Sequence, residues 1–246
     1  MDDTPSILLI SDVDDTLLGD EKALARFAAW LTAHRNLFRL VYASGRFCES
    51  VAASVHSTAL PAPDAIAGGV GTEVKLYPSG KAVAEWKEQI ADGWDPQAVR
   101  IALSGFPGLE LQPERFLSNT KVSYYLHDAT EADIEEVRRL LRNASIGADV
   151  IYSSDRDLDI VPLGMNKGAA ASFLADLWDF DPQQVVVVGD SANDLSMFQQ
   201  GFRGIVIANA DAEVQAQSGG RMYHSIHARA DGVLDGVVHW LNEELN

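Results

Sequence analysis

Acidic, hydroxyl and amide side chains follow three short apolar segments of the sequence. Residues 12–16 (DVDDT) follow the run SILLIS, residues 44–46 (SGR) follow FRLVYA, and residues 190–194 (DSAND) follow VVVVG. Carboxylates gathered at one point repel each other unless a cation lies between them. Hard oxygen ligands, with a phosphate oxygen and water completing the shell, suit Mg²⁺. The three segments therefore predict a Mg²⁺ site that acts on a phosphate ester.

The spacing of the first two acids fits phosphoryl transfer. A carboxylate held at a metal ion, such as Asp12, can attack phosphorus and form an aspartyl-phosphate. A second carboxylate two residues later, Asp14, can protonate the departing sugar oxygen and then activate the hydrolytic water. Lys167, near the start of a predicted helix, can offset charge on the phosphoryl group. The Ser44 hydroxyl can donate to a phosphate oxygen, and Gly45 permits its close approach.

Short apolar strands alternate with amphipathic helices in the first and last thirds of the sequence. We predict strands at residues 6–11, 38–43, 185–189 and 204–208. The apolar stripe of the last helix is predicted to contain Leu234, Val237, Val238, Leu241 and Leu245. The alternation predicts an α/β fold with a doubly wound, Rossmann-like parallel sheet. Ligands of such sheets bind beyond the carboxyl ends of the strands, where the three polar segments lie.

The middle of the sequence has a different pattern. Residues 121–126 (KVSYYL) alternate polar and apolar side chains, which is typical of a half-buried antiparallel strand. Thr130 and Asp133 predict a helix start, and Ile134, Val137 and Leu141 mark its buried stripe. We predict a smaller α+β cap domain at residues 81–159, inserted into a core formed by residues 1–80 and 160–246.

The composition restricts the classes of function. The chain has 246 residues, and its 36 acidic and 19 basic side chains give a formal charge of −17. This charge repels phosphate backbones and anionic lipids, so neither nucleic acid nor a membrane is an expected partner. The single cysteine, Cys48, forms no disulfide within the chain, and no apolar segment fits a signal peptide or a membrane helix. A cytoplasmic protein is expected.

Four ordered motifs carry a resemblance to a known family. D-x-D-x-T, a serine after a strand, a single lysine and G-D-S-x-N-D resemble the haloacid dehalogenase superfamily of phosphohydrolases. The segments SDVDDTLLGD, YASGR, GGVGTEV, KVSYYL, SSDRDLDIVP, NKG and GDSANDLSMF are most similar to its sucrose-phosphate phosphatase branch. The resemblance implies a Mg²⁺-dependent phosphatase whose cap closes over a sugar. Dehalogenases of the superfamily lack the second aspartate, so Asp14 favours phosphoryl transfer.

The resemblance also implies roles for individual residues. Asp12 would be the nucleophile and a Mg²⁺ ligand, and Asp14 would be the acid/base that binds the metal through its backbone carbonyl. Ser44 and Lys167 would hold the phosphoryl group. The remaining metal-site residues would be Asp190, Asn193 and Asp194. Candidate substrate contacts are Arg46, Gly71, Thr72, Glu73, Lys121, Ser123, Asp157 and Asn166.

Several of these residues have a simpler structural interpretation. The glycines of residues 68–71 can serve a tight turn, and Arg46 can pair with a surface acid. Asp15 is interpreted as a solvent-facing loop carboxylate, and the histidines show no metal-ligand spacing.

The expected substrate is a disaccharide phosphate, with sucrose-6-phosphate first. Mannosylfructose phosphate, mannosyl-phosphoglycerate and trehalose phosphate are alternatives, as is the reaction of a hexose phosphomutase. A catalytically silent, partner-binding subunit of a glycosyltransferase is disfavoured because Asp12, Asp14, Lys167, Asp190 and Asp194 are all present. A sugar-phosphate synthase would supply the substrate.

Overall fold

The computed structural model describes residues 5–89 and 93–244. Among these residues the strands are β1 (Ile7–Ser11), β2 (Phe38–Ala43), β3 (Ala65–Gly68), β4 (Glu73–Leu76), β5 (Glu110–Leu111), β6 (Val122–Tyr125), β7 (Ala148–Ser153), β8 (Asp157–Pro162), β9 (Val185–Gly189), β10 (Arg203–Val206) and β11 (Met222–His224). The α-helices are α1 (Glu21–Ala33), α2 (Cys48–Ser57), α3 (Ala84–Lys87), α4 (Pro96–Leu103), α5 (Glu131–Asn143), α6 (Lys167–Leu177), α7 (Leu195–Phe198), α8 (Ala212–Gln215) and α9 (Arg229–Glu244).

A seven-stranded sheet forms the centre of the larger unit, in the order β11-β10-β9-β1-β2-β3-β4. Six of these strands run parallel, and β4 pairs antiparallel with β3. All five residues of β1 are buried, so both faces of the sheet are covered at this strand. The predicted α/β fold with a doubly wound parallel sheet is confirmed.

The predicted strands at residues 38–43 and 185–189 are found with those bounds. The strand predicted at residues 204–208 is instead Arg203–Val206. It ends earlier because the chain turns after Val206, where the Ala210 N–H donates to the Ile207 carbonyl. Apolar character alone does not mark that turn, because Ile207 remains fully buried beyond the strand.

Helix α9 packs against the core partly through the predicted stripe, because Val237 is buried and the half-buried Leu234 and Leu241 contact the core, and partly through residues outside that stripe. Its buried apolar residues are Ala230, Val233, Val237 and Trp240, whereas Leu234 and Val238 are half-buried and Leu245 lies outside the described residues. The cause is a pair of glycines on the inner face. A Cβ at Gly236 would lie 2.4 Å from Ile205 Cγ2, and one at Gly232 would lie 2.3 Å from the His227 carbonyl oxygen. The close approach through these glycines selects which neighbours become buried.

The smaller unit contains an antiparallel sheet in the order β5-β6-β8-β7. Helix α5 begins at the predicted capping box of Thr130 and Asp133, and its buried residues are Ile134, Val137 and Leu141 as predicted. These side chains join Val122, Tyr124, Leu158 and Ile160 in a hydrophobic cluster of their own.

The two compact units consist of residues 1–83 with 167–246, and residues 84–166. The sequence prediction placed the divisions at 80/81 and 159/160. The first unit extends to Val83 because the Val83 N–H donates to the Val74 carbonyl at 3.0 Å. The second extends to Asn166 because β8 continues to Pro162 and Asn166 Nδ2 donates to Asp149 Oδ2 at 3.1 Å. No helix in residues 5–89 or 93–244 is long and apolar enough to cross a membrane.

Candidate active site

Adjacent parallel strands bring three carboxylates together. β1 pairs with β9 in a register that places Ser11 opposite Val188, so Asp12 and Asp190 both lie just beyond neighbouring strand ends. The Asp12 N–H donates to the Val188 carbonyl at 2.9 Å, which extends this pairing into the loop. One carboxylate oxygen from each of Asp12, Asp190 and Asp194 lies within 4.8 Å of the others. The structure thus assembles the acids that the sequence places on separate segments.

The ammonium of Lys167 lies among these carboxylates. Lys167 is the first residue of α6 and its side chain is fully buried. Its Nζ donates to Asp12 Oδ1 at 2.7 Å and to Asp194 Oδ1 at 2.6 Å. An ammonium has three N–H donors, so two of the three are used by carboxylates of the described residues. The third is available for a ligand oxygen.

Asp194 organises the loop after β9. Its Oδ2 accepts the backbone N–H groups of Asp190 at 3.0 Å and Ser191 at 3.1 Å, while its Oδ1 accepts from Lys167. The last residue of β9 must be glycine, because a Cβ at Gly189 would lie 2.2 Å from Asp194 Cγ. Asp194 thus accepts three hydrogen bonds, whereas the described residues give one hydrogen bond each to the carboxylates of Asp12 and Asp190, which therefore have more capacity for a further ligand.

Burial and mutual repulsion change the pKa values of these groups. Burial raises the pKa of the Asp12 carboxyl well above its ordinary value, and Lys167 opposes this shift only in part. Burial and then the charge of Asp194 raise the pKa of Asp190 to about 6. Burial disfavours the Lys167 ammonium, yet the adjacent Asp12 and Asp194 outweigh that effect and raise its pKa. The acids need more positive charge than one lysine supplies.

The donor set fits a small divalent cation. The Asn193 Oδ1 atom is buried and accepts no hydrogen bond from the described residues, although it lies in the loop that carries Asp190 and Asp194. Thr16 Oγ1 donates to Asp190 Oδ1 at 3.0 Å and fixes that carboxylate. Carboxylate and amide oxygens are the hard ligands that Mg²⁺ prefers. The site offers such oxygens in Asn193 and in two carboxyl groups with raised pKa values, Asp12 and Asp190.

Asp14 lies beside Asp12 in sequence but directs its side chain elsewhere. The carboxylate is 53% exposed and accepts from Arg46 Nη1 at 3.1 Å. An exposed carboxyl group that is not tied to Lys167 can exchange protons with a substrate and with water. The acid/base role of Asp14 and a metal contact through its backbone stay predictions.

Ser44 lies at the end of β2 and is buried. Its backbone N–H donates to the Ala67 carbonyl at 2.9 Å, and its Oγ accepts the Arg46 N–H at 3.1 Å. The hydroxyl proton is therefore free to point toward another acceptor. A Cβ at Gly45 would meet no described atom within 4 Å, so the space beside this residue is open.

Three residues of the larger unit that are predicted to contact the substrate form hydrogen bonds within that unit: Arg46, Thr72 and Glu73. Arg46 donates to the Ser50 carbonyl and to Ser54 Oγ of α2 in addition to Asp14. Thr72 is buried and its hydroxyl donates to the Gly69 carbonyl at 2.9 Å. These contacts support the interpretation of Arg46 as an ion-pair partner and of residues 68–71 as a tight turn. Gly71 has a φ of 95°, and Glu73 Oε2 accepts the Cys48 N–H at 3.3 Å.

In the smaller unit, Lys121 and Ser123 share one partner that the sequence analysis does not identify. Lys121 Nζ donates to Asp159 Oδ1 at 3.1 Å, and Ser123 Oγ donates to the same oxygen. Asp157 accepts from Gln112 Nε2 at 2.9 Å and also from Arg156. A direct contact of Lys121, Ser123, Asp157 or Asn166 with a substrate stays a prediction.

Sequence reasoning also missed Asn209, whose side chain reaches the loop of residues 12–16. Its Nδ2 donates to the Asp15 carbonyl at 2.9 Å. The available signal was its position just beyond β10, at the same sheet edge as the acids. The predicted strand at residues 204–208 also ends immediately before Asn209, so an asparagine at this strand end is a signal that the sequence contains.

The chain is similar to several known proteins. A family model described as sucrose-6F-phosphate phosphohydrolase matches residues 5–241. The mannosylfructose-phosphate phosphatase of Agrobacterium fabrum is 36% identical over 96% of this chain and 97% of that protein. The probable sucrose-phosphatase 2 of Arabidopsis thaliana is 27% identical over 96% of this chain, which spans 60% of the plant protein.

Among solved structures, the chain is similar to the sucrose-phosphatase of Synechocystis sp., which was determined in complex with sucrose and phosphate. The two have a TM-score of 0.90 and 30% identity, over 96% of this chain and 98% of the other. The likeness therefore includes both the parallel sheet and the inserted residues.

Proposed function

Because the chain belongs to the sucrose-6F-phosphate phosphohydrolase family, we propose that it hydrolyses a disaccharide phosphate through an aspartyl-phosphate on Asp12. The enzyme is a phosphoric monoester hydrolase of the haloacid dehalogenase type that acts on a sugar phosphate. The single observation that carries the finer proposal is the placement of Lys167 Nζ 2.7 Å from Asp12 Oδ1, between carboxylates from two strand ends.

In the first step, the Asp12 carboxylate attacks phosphorus and the bond from phosphorus to the sugar oxygen breaks. Asp14 donates a proton to the departing alkoxide. The remaining N–H of Lys167 and the hydroxyl of Ser44 donate to phosphoryl oxygens, which stabilises charge in the transition state. In the second step, Asp14 takes a proton from water, the water attacks phosphorus, and the Asp12 carboxylate is released with inorganic phosphate.

The residues that would hold Mg²⁺ are Asp12 and Asp190 through carboxylate oxygens and Asn193 through Oδ1, with a backbone contact from Asp14. Asp194 would organise this side, because its oxygens are occupied by Lys167 and by backbone N–H groups. When bound, the ion supplies positive charge to the phosphoryl oxygens and relieves the repulsion between the acids. The upstream sugar-phosphate synthase stays a prediction.

Sucrose-6-phosphate is the first substrate that we propose. The family description and the neighbouring solved structure both name sucrose or its phosphate. Mannosylfructose phosphate is the second candidate, because the phosphatase named for it is 36% identical over nearly the full length of both chains. Both sugars contain a fructose unit, so we expect recognition of a fructose-containing disaccharide phosphate.

The chemistry is tested with Asp12→Asn and with Asp179→Asn as the matched control on an exposed aspartate. Asn cannot form the acyl phosphate, so phosphate release should fall at least about a thousandfold in Asp12→Asn. The control should retain wild-type turnover, because Asp179 is exposed and Asn tolerates its left-handed backbone with a φ of 57°. Substantial Mg²⁺-dependent turnover in Asp12→Asn would contradict the assignment.

The substrate class is tested by phosphate release from sucrose-6-phosphate, mannosylfructose phosphate, trehalose phosphate and fructose phosphate, each with Mg²⁺ and with EDTA. We expect the highest kcat/KM for the two fructose-containing disaccharide phosphates and no turnover in EDTA. Equal or faster hydrolysis of trehalose phosphate would overturn the substrate class while leaving the phosphatase chemistry in place.

A further inference from the structure

The loop that follows β10 binds the backbone of both acid-bearing loops. Asn209 Nδ2 donates to the carbonyl of Asp15, the residue between Asp14 and Thr16, at 2.9 Å. Two residues later, the Asp211 N–H donates to the Asp190 carbonyl at 2.7 Å. This single loop therefore contacts the chain next to the acid/base and the chain at a metal-site carboxylate.

Asn209 uses both atoms of its amide group. While Nδ2 donates to Asp15, Oδ1 accepts the backbone N–H of Arg229 at 2.8 Å. The Arg229 side chain then returns to Asp15, with Nη2 donating to Oδ1 at 3.0 Å. Asp15 is thus held at its carbonyl by Asn209 and at its carboxylate by Arg229. We refer to Asn209 and Arg229 together as the Asp15 clamp.

The backbone at this point adopts conformations that side chains other than glycine rarely adopt. Asp15 has a φ of 56° and Arg229 a φ of 52°, both in the left-handed region. Left-handed residues other than glycine are strained and persist where the surroundings fix them. Gly19 makes room for the clamp, because a Cβ there would lie 2.5 Å from Arg229 Nε. The hydrogen bonds from Asn209 and Arg229 to Asp15 therefore stabilise a backbone conformation that the isolated loop would not keep.

We propose that Asn209 is a positioning residue of the phosphoryl-transfer site, acting with Arg229 to fix the turn that carries Asp12 and Asp14. The inference rests on the proposed function, since it deepens the roles given there to these two acids. Thr16, on the other side of Asp15, donates to Asp190 Oδ1 at 3.0 Å. A displaced Asp15 peptide would therefore move the acid/base and the partner of Asp190 together.

The chemistry of the contact distinguishes asparagine from its closest substitutes. Aspartate keeps the acceptor for the Arg229 N–H but has no donor for the Asp15 carbonyl. Alanine has neither group. A purely space-filling role would be preserved in Asn209→Asp, which has nearly the same shape, whereas a role as donor would be lost in both variants.

The test uses the full chain with Asn209→Ala, Asn209→Asp and the control Asn143→Ala, which changes an exposed asparagine at the end of α5. Small misplacements of catalytic groups cost up to about a hundredfold in rate. We expect kcat on the best sugar phosphate to fall about ten- to a hundredfold in both Asn209 variants. KM should stay within about twofold, and the control should match wild type.

Amide hydrogen exchange supplies a readout that needs no activity. The N–H groups of Leu17 and Leu18 both donate to the Val13 carbonyl, at 3.0 and 2.9 Å, and close the turn. We expect exchange at these amides to rise at least about tenfold in Asn209→Ala, while the strands of the sheet stay as protected as in wild type.

Unchanged kcat in a folded Asn209→Ala protein would overturn the proposal, as would wild-type kcat in Asn209→Asp. A loss of activity accompanied by faster exchange throughout the sheet would also overturn it, because the role would then be general stability. If the wild-type protein hydrolysed no sugar phosphate, the proposed function would fail, whereas the exchange comparison would still decide whether Asn209 fixes the turn.

Discussion

Lys167 is the residue on which the electrostatics of the site depend. Its fully buried ammonium contacts Asp12 and Asp194, and Asp190 lies in the same cluster. Three ionised carboxylates and one ammonium leave two negative charges, which a divalent cation balances. The lysine offsets repulsion between the carboxylates in the resting protein, and we propose that it also donates to the phosphoryl group during the reaction.

Replacing Lys167 by methionine should destabilise the metal-free protein. Removing one partner of a buried ion pair leaves uncompensated charge and typically costs about 3–5 kcal/mol in the free energy of unfolding. Added Mg²⁺ should restore part of this loss, because a cation can again balance the acids. Urea unfolding with and without Mg²⁺ measures both effects. The exposed Lys81→Met is the control, and equal stability of the two variants would contradict this account.

The raised pKa of Asp190 predicts how stability depends on pH without metal. Its folded-state pKa of about 6 lies above the ordinary pKa of 3.8 that the carboxyl has in an unfolded chain, so the folded state holds the proton to higher pH. The contribution of Asp190 to the free energy of unfolding should therefore fall as pH rises from about 4 to about 6, and the raised pKa of Asp12 should extend the fall to higher pH.

The measurement is thermal unfolding in EDTA at several pH values. Asp190→Asn should reduce the slope between about pH 4 and pH 6, because the group that titrates there is removed. Mg²⁺ should stabilise wild type more at pH 7.5 than at pH 5, since ligands must be deprotonated to bind. Equal slopes in wild type and Asp190→Asn would show that Asp190 does not titrate in this range.

At the scale of elements, the turn between β3 and β4 is hydrogen-bonded to residues 44–46, which follow β2. The Val70 N–H donates to the Ser44 carbonyl at 3.0 Å, and the Gly69 N–H donates to the Arg46 carbonyl at 2.9 Å. Val70 is fully buried yet has a φ of 61°, which is rare for a β-branched residue. The turn therefore contains a strained residue, Val70, that is hydrogen-bonded to the backbone of Ser44.

The strain predicts an unusual order of stability for two substitutions. Val70→Ala and Val70→Gly both lose most of the buried side chain, but only glycine adopts this backbone without strain. Glycine should therefore be more stable than alanine by about 1 kcal/mol, whereas in a helix or strand it is less stable by about 0.5–1 kcal/mol. Urea unfolding of both variants measures the difference, and a more stable alanine variant would exclude strain at Val70.

Elements with strong local signals could be predicted from the sequence, and elements set by neighbours could not. VVVVG predicts β9 because a short apolar run suits a strand buried on both faces, and Thr130 with Asp133 predicts the start of α5. The inner face of α9 depends on Gly232 and Gly236, whose importance appears only when Ile205 packs against them. The role proposed for Asn209 likewise depends on its contacts with Asp15 and Arg229, which appear only in the structure.

At the scale of the whole molecule, the strand order brings the acids together. Asp12 and Asp190 are far apart in sequence, yet β1 and β9 are neighbours in the sheet. Lys167, the first residue after the inserted unit, begins α6 within the larger unit. With a formal charge of −17, the chain as a whole repels a phosphate ester, so attraction must come from local cations. The sequence motifs predicted these residues, whereas their distances required the sheet.

The most direct test of the central claim is acid quenching during turnover of a sugar phosphate, followed by mass spectrometry of the peptides. The account predicts a phosphoryl group on Asp12 in wild type and none in Asp12→Asn. Wild-type turnover under the same quench with phosphate on another residue, and none on Asp12, would contradict it.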